Sequence, residues 1–243
     1  MIFHQDIPLN QISDQLVGCQ CYLDQCTENS ECICVTRFGR PYTNDGLLRD
    51  FNQPIFECNS SCTCASSCEN RVVQRWLNRS FNSDFEIVKK PIIGQCLVAT
   101  RAFRRGELVC VYLGEVVPYE VACRREKEQL KEFGRNYVLI LRTFSGSSPV
   151  SVTCIDGNVA LHTGTKPFGP LINHSCDPNL IVHPVHVDSV IPYAALFARL
   201  AIPPDTELTY DYASCVADGD RTKSNIPCRC NATNCRGFLP RVK

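Results

Sequence analysis

The side chains best suited to chemistry are cysteines, 18 in a chain of 243 residues. Nine lie near the N-terminus in two groups, Cys19-x-Cys21-x4-Cys26-x5-Cys32-x-Cys34 and Cys58-x3-Cys62-x-Cys64-x3-Cys68. Such spacing crowds thiolates together, where tetrahedral zinc lowers their pKa and neutralises their charge. Two separate four-cysteine sites would leave one ligand over. Three zincs in a triangle need twelve bonds, which nine sulfurs supply if three of them bridge. Between the two groups, 35–56 carries Gly39, Pro41, Gly46 and Pro54 without sustained periodicity, which predicts a loop fastened at both ends by metal. Zinc in that role is structural, and its removal unfolds the segment.

The elements that must position further chemistry follow Cys68. Phe85–Val88, Leu97–Ala99, Leu108–Tyr112 and Tyr137–Leu141 are short apolar or β-branched runs set apart by glycines and charges, and predict strands. A helix is predicted over 118–133, opened by Pro118 and stopped by Gly134. Its run Arg124-Arg125-Glu126-Lys127-Glu128 mixes both signs and is expected to be solvated surface rather than a nucleic-acid contact. Gly157-Asn158-Val159-Ala160 predicts a hairpin turn.

Composition narrows the class. The 44% hydrophobic content supports a core without disulfides, and the formal net charge of zero gives no field for binding along DNA. The even cysteine count and the sequons at Asn59, Asn78, Asn173 and Asn231 would also describe a secreted disulfide protein. However, residues 1–10 contain Asp6 and Pro8 and no apolar run, so neither a leader nor a membrane span is expected, and the cysteines cluster at the two ends. The expected compartment is intracellular. Cys96, Cys110, Cys123, Cys154 and Cys215, outside the clusters, are expected to be ordinary thiols.

One further constellation carries the most specific signal. Asn173-His174-Ser175-Cys176-Asp177-Pro178-Asn179 is followed by Glu207-Leu208-Thr209-Tyr210-Asp211-Tyr212 and then Cys228-x-Cys230-x4-Cys235. With Tyr112-Leu113-Gly114-Glu115 and the N-terminal cysteines, this order resembles the pre-SET, SET and post-SET layout of histone-lysine methyltransferases over nearly the whole chain. Within that family, Phe56–Asn59 and Asn70–Gln74 are similar to the histone H3 methyltransferase that is fused to a transposase. The resemblance implies a mainly β fold with few helices, the knot-like SET β-clip. It places an N-terminal segment at 1–16, a pre-SET three-zinc cluster at 17–76, a SET catalytic domain at 77–213 and a post-SET zinc tail at 214–243.

The resemblance also implies roles. Tyr212 matches the catalytic tyrosine beside the donor methyl, with Tyr112, Tyr137 and Tyr210 lining the cofactor pocket and lysine channel. Asn173 and His174 match residues that hold S-adenosylmethionine, together with Gly94, Gln95, Tyr137 and Tyr212; without it, Asn173–Asn179 is simply a turn. Cys176 joins Cys228, Cys230 and Cys235 in a fourth zinc site, which pins the tail over the pocket. Phe238 or Leu239 would then pack near adenine. A tyrosine at 210, where family members that trimethylate tend to carry phenylalanine, implies mono- or dimethylation.

Two departures bear on the cofactor. Gly94-Gln95-Cys96 stands where the family has Gly-Trp-Gly, and Lys166–Leu171 replaces a usual Asn and Arg with Pro167 and Pro170, the proline nitrogens lacking a donor. Two function classes follow: an S-adenosylmethionine-dependent methyltransferase of the histone H3 tail, of the lysine 9 or lysine 36 class, or a catalytically weakened SET scaffold that binds chromatin. The expected product of the first is S-adenosylhomocysteine. Expected partners are the H3 tail or nucleosome, with no sequence-specific DNA contact and no membrane; a monomer in the nucleus, on chromatin, is expected.

Overall fold

A computed structural model describes residues 1–8, 16–22, 26, 32–36, 39–79, 84–145, 148–163, 168–213 and 221–242. The expectations for Lys166, Pro167 and Cys215 lie outside them. Among the described residues the chain is mostly β with four helices.

The core is built on apolar runs whose two faces are both covered. β1 (Ile2–Phe3) pairs in parallel with β6 (Glu115–Val117), and β6 continues through β8 (Ser148–Asp156) to β7 (Val138–Ser145). A second sheet runs β2 (Ile55–Phe56), β10 (Leu180–His186), β11 (Tyr193–Ala198), β5 (Leu108–Tyr112). All five residues of β5 are buried, as a continuous Leu-Val-Cys-Val-Tyr run requires. β3 (Phe85–Lys90) and β4 (Gly94–Ala99) form a hairpin, and Val98 bridges to Glu207. Leu97, Phe103, Leu196, Phe197, Ile202 and Leu208 are fully buried where these pieces meet. Each such side chain contributes about 1.5–3 kcal/mol on burial.

The knot lies between distant segments. β9 (Asn173–His174) pairs in parallel with β12 (Thr209–Tyr210), Asn173 opposite Thr209 and His174 opposite Tyr210. Two residues make a weak ladder, and Asn179 reinforces it. Its Nδ2 donates to the Glu207 carbonyl at 2.8 Å and its Oδ1 accepts the Thr209 N–H at 2.9 Å. A final pair, β13 (Arg221–Pro227) and β14 (Phe238–Val242), carries the tail.

The long helix runs Tyr119–Phe133, with Pro118 at its N-cap and Gly134 at φ 66° ending it, the left-handed conformation that glycine adopts without cost. Arg124, Lys127 and Glu128 are exposed as predicted. Arg125 is not: it is half-buried and pairs with Glu115 and Asp156. The predicted hairpin turn at Gly157 is instead the start of a short helix, Asn158–Thr163. Asp156 Oδ1 accepts the Asn158 N–H at 3.0 Å, a capping contact that a turn reading of Gly-Asn overlooks. No side chain fits at 157, where a Cβ would lie 2.4 Å from Pro170 Cγ and 2.8 Å from the Tyr112 hydroxyl.

Candidate active site

The nine N-terminal thiols converge. Cys19–Cys26, Cys26–Cys58 and Cys34–Cys62 sulfurs lie 3.7, 3.6 and 3.6 Å apart, and Cys58–Cys68 4.0 Å. Two sulfurs sharing one tetrahedral zinc with bonds of about 2.3 Å sit about 3.8 Å apart, so the donors fit that metal. Overlapping sets of four, Cys19/Cys21/Cys26/Cys32, Cys19/Cys32/Cys34/Cys58, Cys19/Cys58/Cys62/Cys64 and Cys26/Cys58/Cys64/Cys68, each fall within 4.8 Å and together include all nine. Cys19 and Cys58 recur in three of the four sets, the behaviour of bridging ligands.

The surrounding groups suit thiolates. Burial first, with neighbouring thiols, pushes Cys32 up to about 12 and Cys26 upward as well, whereas bonds from neighbouring thiols bring Cys62 down and Cys68 down to about 5, so the crowded sulfurs share protons that zinc would displace. Backbone amides of Cys19 and Asn59 point at Cys62 Sγ (3.3 and 3.1 Å), and the buried Arg71 guanidinium lies 3.3 Å from Cys64 Sγ. The buried Glu57 ties this module to the core. Its carboxylate accepts the N–H groups of Val73 (2.7 Å) and Gln74 (3.3 Å) at the start of the helix Val72–Asn78, and the Tyr42 hydroxyl at 2.9 Å. From that helix Trp76 Nε1 donates to the Val109 carbonyl of β5 at 3.1 Å.

The second cluster, Cys176, Cys228, Cys230 and Cys235, is also within 4.8 Å but half-exposed throughout. Burial pushes Cys228 up to about 12, whereas amides of Cys176 and Ala232 outweigh burial at Cys230 and bring it down to about 6. Arg236 joins it to the knot, Nη2 donating to Asp211 Oδ1 at 2.8 Å and Nε to Cys176 Sγ at 3.4 Å. All described cysteines are free thiols, Cys96, Cys110, Cys123 and Cys154 among them, so no disulfide framework is present among the described residues.

Between the knot, β4, β7 and the tail lies a cavity of about 980 Å³. Tyr112, Tyr137, Tyr210 and Tyr212 all line it, with Gln95, Asn173 and His174. The Tyr112 hydroxyl donates to the Tyr137 carbonyl at 2.7 Å, and the Tyr212 hydroxyl to the Ile172 carbonyl at 3.2 Å. Rings 210 and 212 are 4.8 Å apart. Burial raises both Tyr112 and Tyr212 above the ordinary phenol value, so both remain neutral hydroxyls. Burial lowers His174 to about 4, and the neutral ring accepts the Tyr212 N–H at Nδ1 (3.2 Å). Its Nε2–H then faces Cys176 Sγ at 3.4 Å, linking knot to metal cluster.

Two pairs of expected residues meet the cavity unequally. Of the two alternatives in the tail, Leu239 lines the cavity, with Pro240 beside it, and Phe238, 43% exposed, does not. Gln95 lines it beside Ile92 and Ile93, whereas Gly94 does not. Pro170 sits in a one-turn 3₁₀ helix, Gly169–Leu171, at its N-terminal end, where a missing N–H leaves no bond unmade. Sequence reasoning missed the polar wall of Lys90, Glu207 and Arg135. Lys90 Nζ meets Glu207 Oε2 at 2.6 Å, and Asn173 Nδ2 donates to Glu207 Oε1 (3.1 Å), the Gln95 carbonyl (3.0 Å) and Cys96 Sγ (3.2 Å). Glu207 stood inside the quoted motif; the others belong to no pattern.

Residues 94–213 match the SET domain and residues 2–71 the Pre-SET motif, and curated histone-lysine N-methyltransferases align along nearly the whole chain. The chain belongs to the SET-domain family of histone-lysine N-methyltransferases. Among its relatives is Histone-lysine N-methyltransferase SETMAR, 35% identical in Homo sapiens over 97% of this chain and 34% of that protein. In Mus musculus the figures are 34%, 97% and 76%. The chain thus spans about a third of the human protein and three-quarters of the mouse one. The crystal structure of the human SETMAR methyltransferase domain superposes with TM-score 0.79 at 32% identity, covering 98% of this chain and 85% of that one. KRYPTONITE, solved in complex with mCHH DNA, H3(1–15) peptide and SAH, gives 0.72 at 26% identity, covering 98% of this chain and 46% of that one.

Proposed function

We propose that the chain transfers a methyl group from S-adenosylmethionine to a lysine of the histone H3 tail, at a site of the lysine 9 or lysine 36 class. The observation that carries this is the parallel pairing of β9 with β12, which sets Asn173 and His174 beside Tyr210 and Tyr212 on the wall of one cavity. Bound there, the sulfonium supplies the methyl group for an in-line displacement by the amine. What the protein does is orient and exclude water. Gln95, Asn173, His174, Leu239 and Tyr137 are the residues to hold the cofactor, with Gly94 setting the start of β4 beside it. The buried, neutral Tyr112 and Tyr212 phenols offer a charged ammonium no counter-ion, which favours the free amine nucleophile.

Tyr210 is 95% buried beside Tyr212, which supports mono- or dimethylation, since its hydroxyl takes up space that a further methyl group needs. Three zincs in the nine-thiol cluster and one in the four-thiol cluster are the counts that match the donors. We place a pre-SET module at 17–76, the SET domain at 77–213 and a zinc tail at 214–243, in a monomer that works on chromatin in the nucleus. The H3 peptide bound by KRYPTONITE supports this substrate. The scaffold reading, in which the pocket is ruined, is not favoured by so complete a wall.

The test is labelled methyl transfer to recombinant H3 and its single-lysine substitutions, with mass spectrometry of the product. Label that is lost with one lysine, and that falls at least about 100-fold with Tyr212→Phe, is the expected result. No transfer by folded, zinc-loaded protein would return the chain to the scaffold class.

A further inference from the structure

The long helix borders the cavity through Glu126 and Leu130, and Gln129 between them turns inward to the backbone of the cavity wall. Gln129 is 95% buried within the charged stretch of the helix, on the same face as Val121, Ala122 and Arg125. Its Oε1 accepts the Tyr137 N–H at 2.9 Å and its Nε2 donates to Asp156 Oδ1 at 2.9 Å. Asp156, 3% exposed, takes Arg125 Nη1 at 2.8 Å on its other oxygen, and the same nitrogen meets Glu115 at 2.7 Å. On its far side the Tyr137 peptide is fixed as well. Its carbonyl accepts the Tyr112 hydroxyl at 2.7 Å and the Gly157 N–H at 2.9 Å.

We infer that Gln129 is a positioning residue for the methyl-transfer pocket, holding the Tyr137 backbone, and with it the Tyr137 ring, against the cofactor through the chain Arg125–Asp156–Gln129. This rests on the pocket reading given above. A buried amide of this kind is costly unless both its ends are satisfied, and here they are satisfied by one catalytic-wall residue and one buried carboxylate. A helix held to its sheet only by apolar contacts would carry Leu or Met at that position. Glutamine instead gives the Tyr137 N–H a fixed partner just before β7, whose Val138, Leu139 and Ile140 continue the cavity wall.

Two substitutions separate this from a role in stability alone. Gln129→Met keeps the volume and removes the acceptor, so S-adenosylmethionine binding by calorimetry is expected to weaken about tenfold with a modest loss of thermal stability. Gln129→Glu keeps the acceptor for Tyr137 but sets a carboxylate beside Asp156, so stability falls more while cofactor affinity stays within about twofold of wild type. Affinity that tracks stability in either variant overturns the inference, and either variant suffices if the other fails to fold. A cycle with Tyr137→Ala completes the test. With the ring gone, Gln129→Met should cost no further affinity, and additive losses would overturn the inference. Wild-type protein that binds no S-adenosylmethionine would sink the pocket reading together with this one, whereas tight wild-type binding unchanged by Gln129→Met sinks this one alone.

Discussion

The two thiol clusters use the same ligand chemistry for different ends. In the N-terminal one most sulfurs are buried, Cys32, Cys58 and Cys68 completely, and its neighbour Glu57 reaches into the core at Tyr42 and Val73. In the C-terminal one every sulfur is half-exposed, and the contacts outward are Arg236 to Asp211 and His174 to Cys176. The first is part of the foundation; the second fastens a tail over a cavity. Burial decides the difference, because a metal site inside the hydrophobic core contributes folding free energy to the whole, whereas one at the rim orders only the segment it closes.

The sharpest way to break that comparison is to remove one ligand sulfur from each side. Cys58→Ser takes a ligand common to three of the four-thiol sets and leaves a buried hydroxyl among thiolates. It is expected to unfold the N-terminal module and, through Glu57 and the helix Val72–Asn78, to lower the stability of the core. Structural zinc contributes on the order of 10 kcal/mol in small modules, so thermal unfolding by circular dichroism should show loss of a cooperative transition, as should a chelator. Cys235→Ser should leave the melting transition within a few degrees of wild type and weaken S-adenosylmethionine binding at least tenfold, read by calorimetry. If both variants lost the same stability, the division into foundation and fastening would be wrong.

Much of this division was legible in the sequence, and for a physical reason. Metal ligation depends on residue type and short spacing, so Cys19 to Cys68 and Cys228 to Cys235 declare themselves. The four pocket tyrosines and Asn173-His174 were legible only through their motifs, since a tyrosine alone says nothing about what it faces. What stayed hidden depends on side chains from distant segments. Gln129 belongs to no motif, and Arg125 looked like one more solvated cation, because periodicity cannot tell a surface ion from one closing on a buried Asp156 beneath it. Phe238 and Leu239 differ by one strand position, which motif spacing does not resolve. The helix after Gly157 was missed because its cap is supplied by the preceding strand's Asp156.

A finer test asks how the tail is held apart from its metal. Arg236→Met removes the cation that joins Asp211 to the Cys176 sulfur while leaving all four thiols in place. The pair is partly exposed, 35% at Arg236 and 16% at Asp211, so water screens it. A three- to fivefold weaker cofactor affinity, roughly the effect of one partly exposed charged hydrogen bond, is expected in calorimetry, with zinc content unchanged by metal analysis. Loss of zinc along with affinity would show that Arg236 belongs to the metal site rather than to the tether.

The smallest effect is expected where no thiol of either cluster takes part in holding the knot. Glu207 is desolvated, which by itself raises its pKa, but the bonds from Lys90, Asn173 and Cys96 outweigh that and hold it below the ordinary 4.5. Lys90 is raised by the same Glu207 bond above its ordinary 10.5. A carboxylate depressed on folding adds stability that is complete above the unfolded value and disappears as pH falls through the folded one; a raised lysine adds stability below 10.5 that disappears as pH climbs past its folded value. Both contributions are therefore present at neutral pH. Glu207→Gln keeps an oxygen for Asn173 Nδ2 and removes the charge. The difference in melting temperature between wild type and this variant should be small, constant from about pH 6 to pH 9, and shrink below about pH 4.5 as the wild-type carboxylate protonates. Acid titration of the thiol clusters is common to both proteins and cancels in that difference. A gap that stayed constant down to pH 3 would show that the Lys90–Glu207 pair adds nothing to the fold, leaving Asn173 held only by its bonds to Gln95 and Cys96.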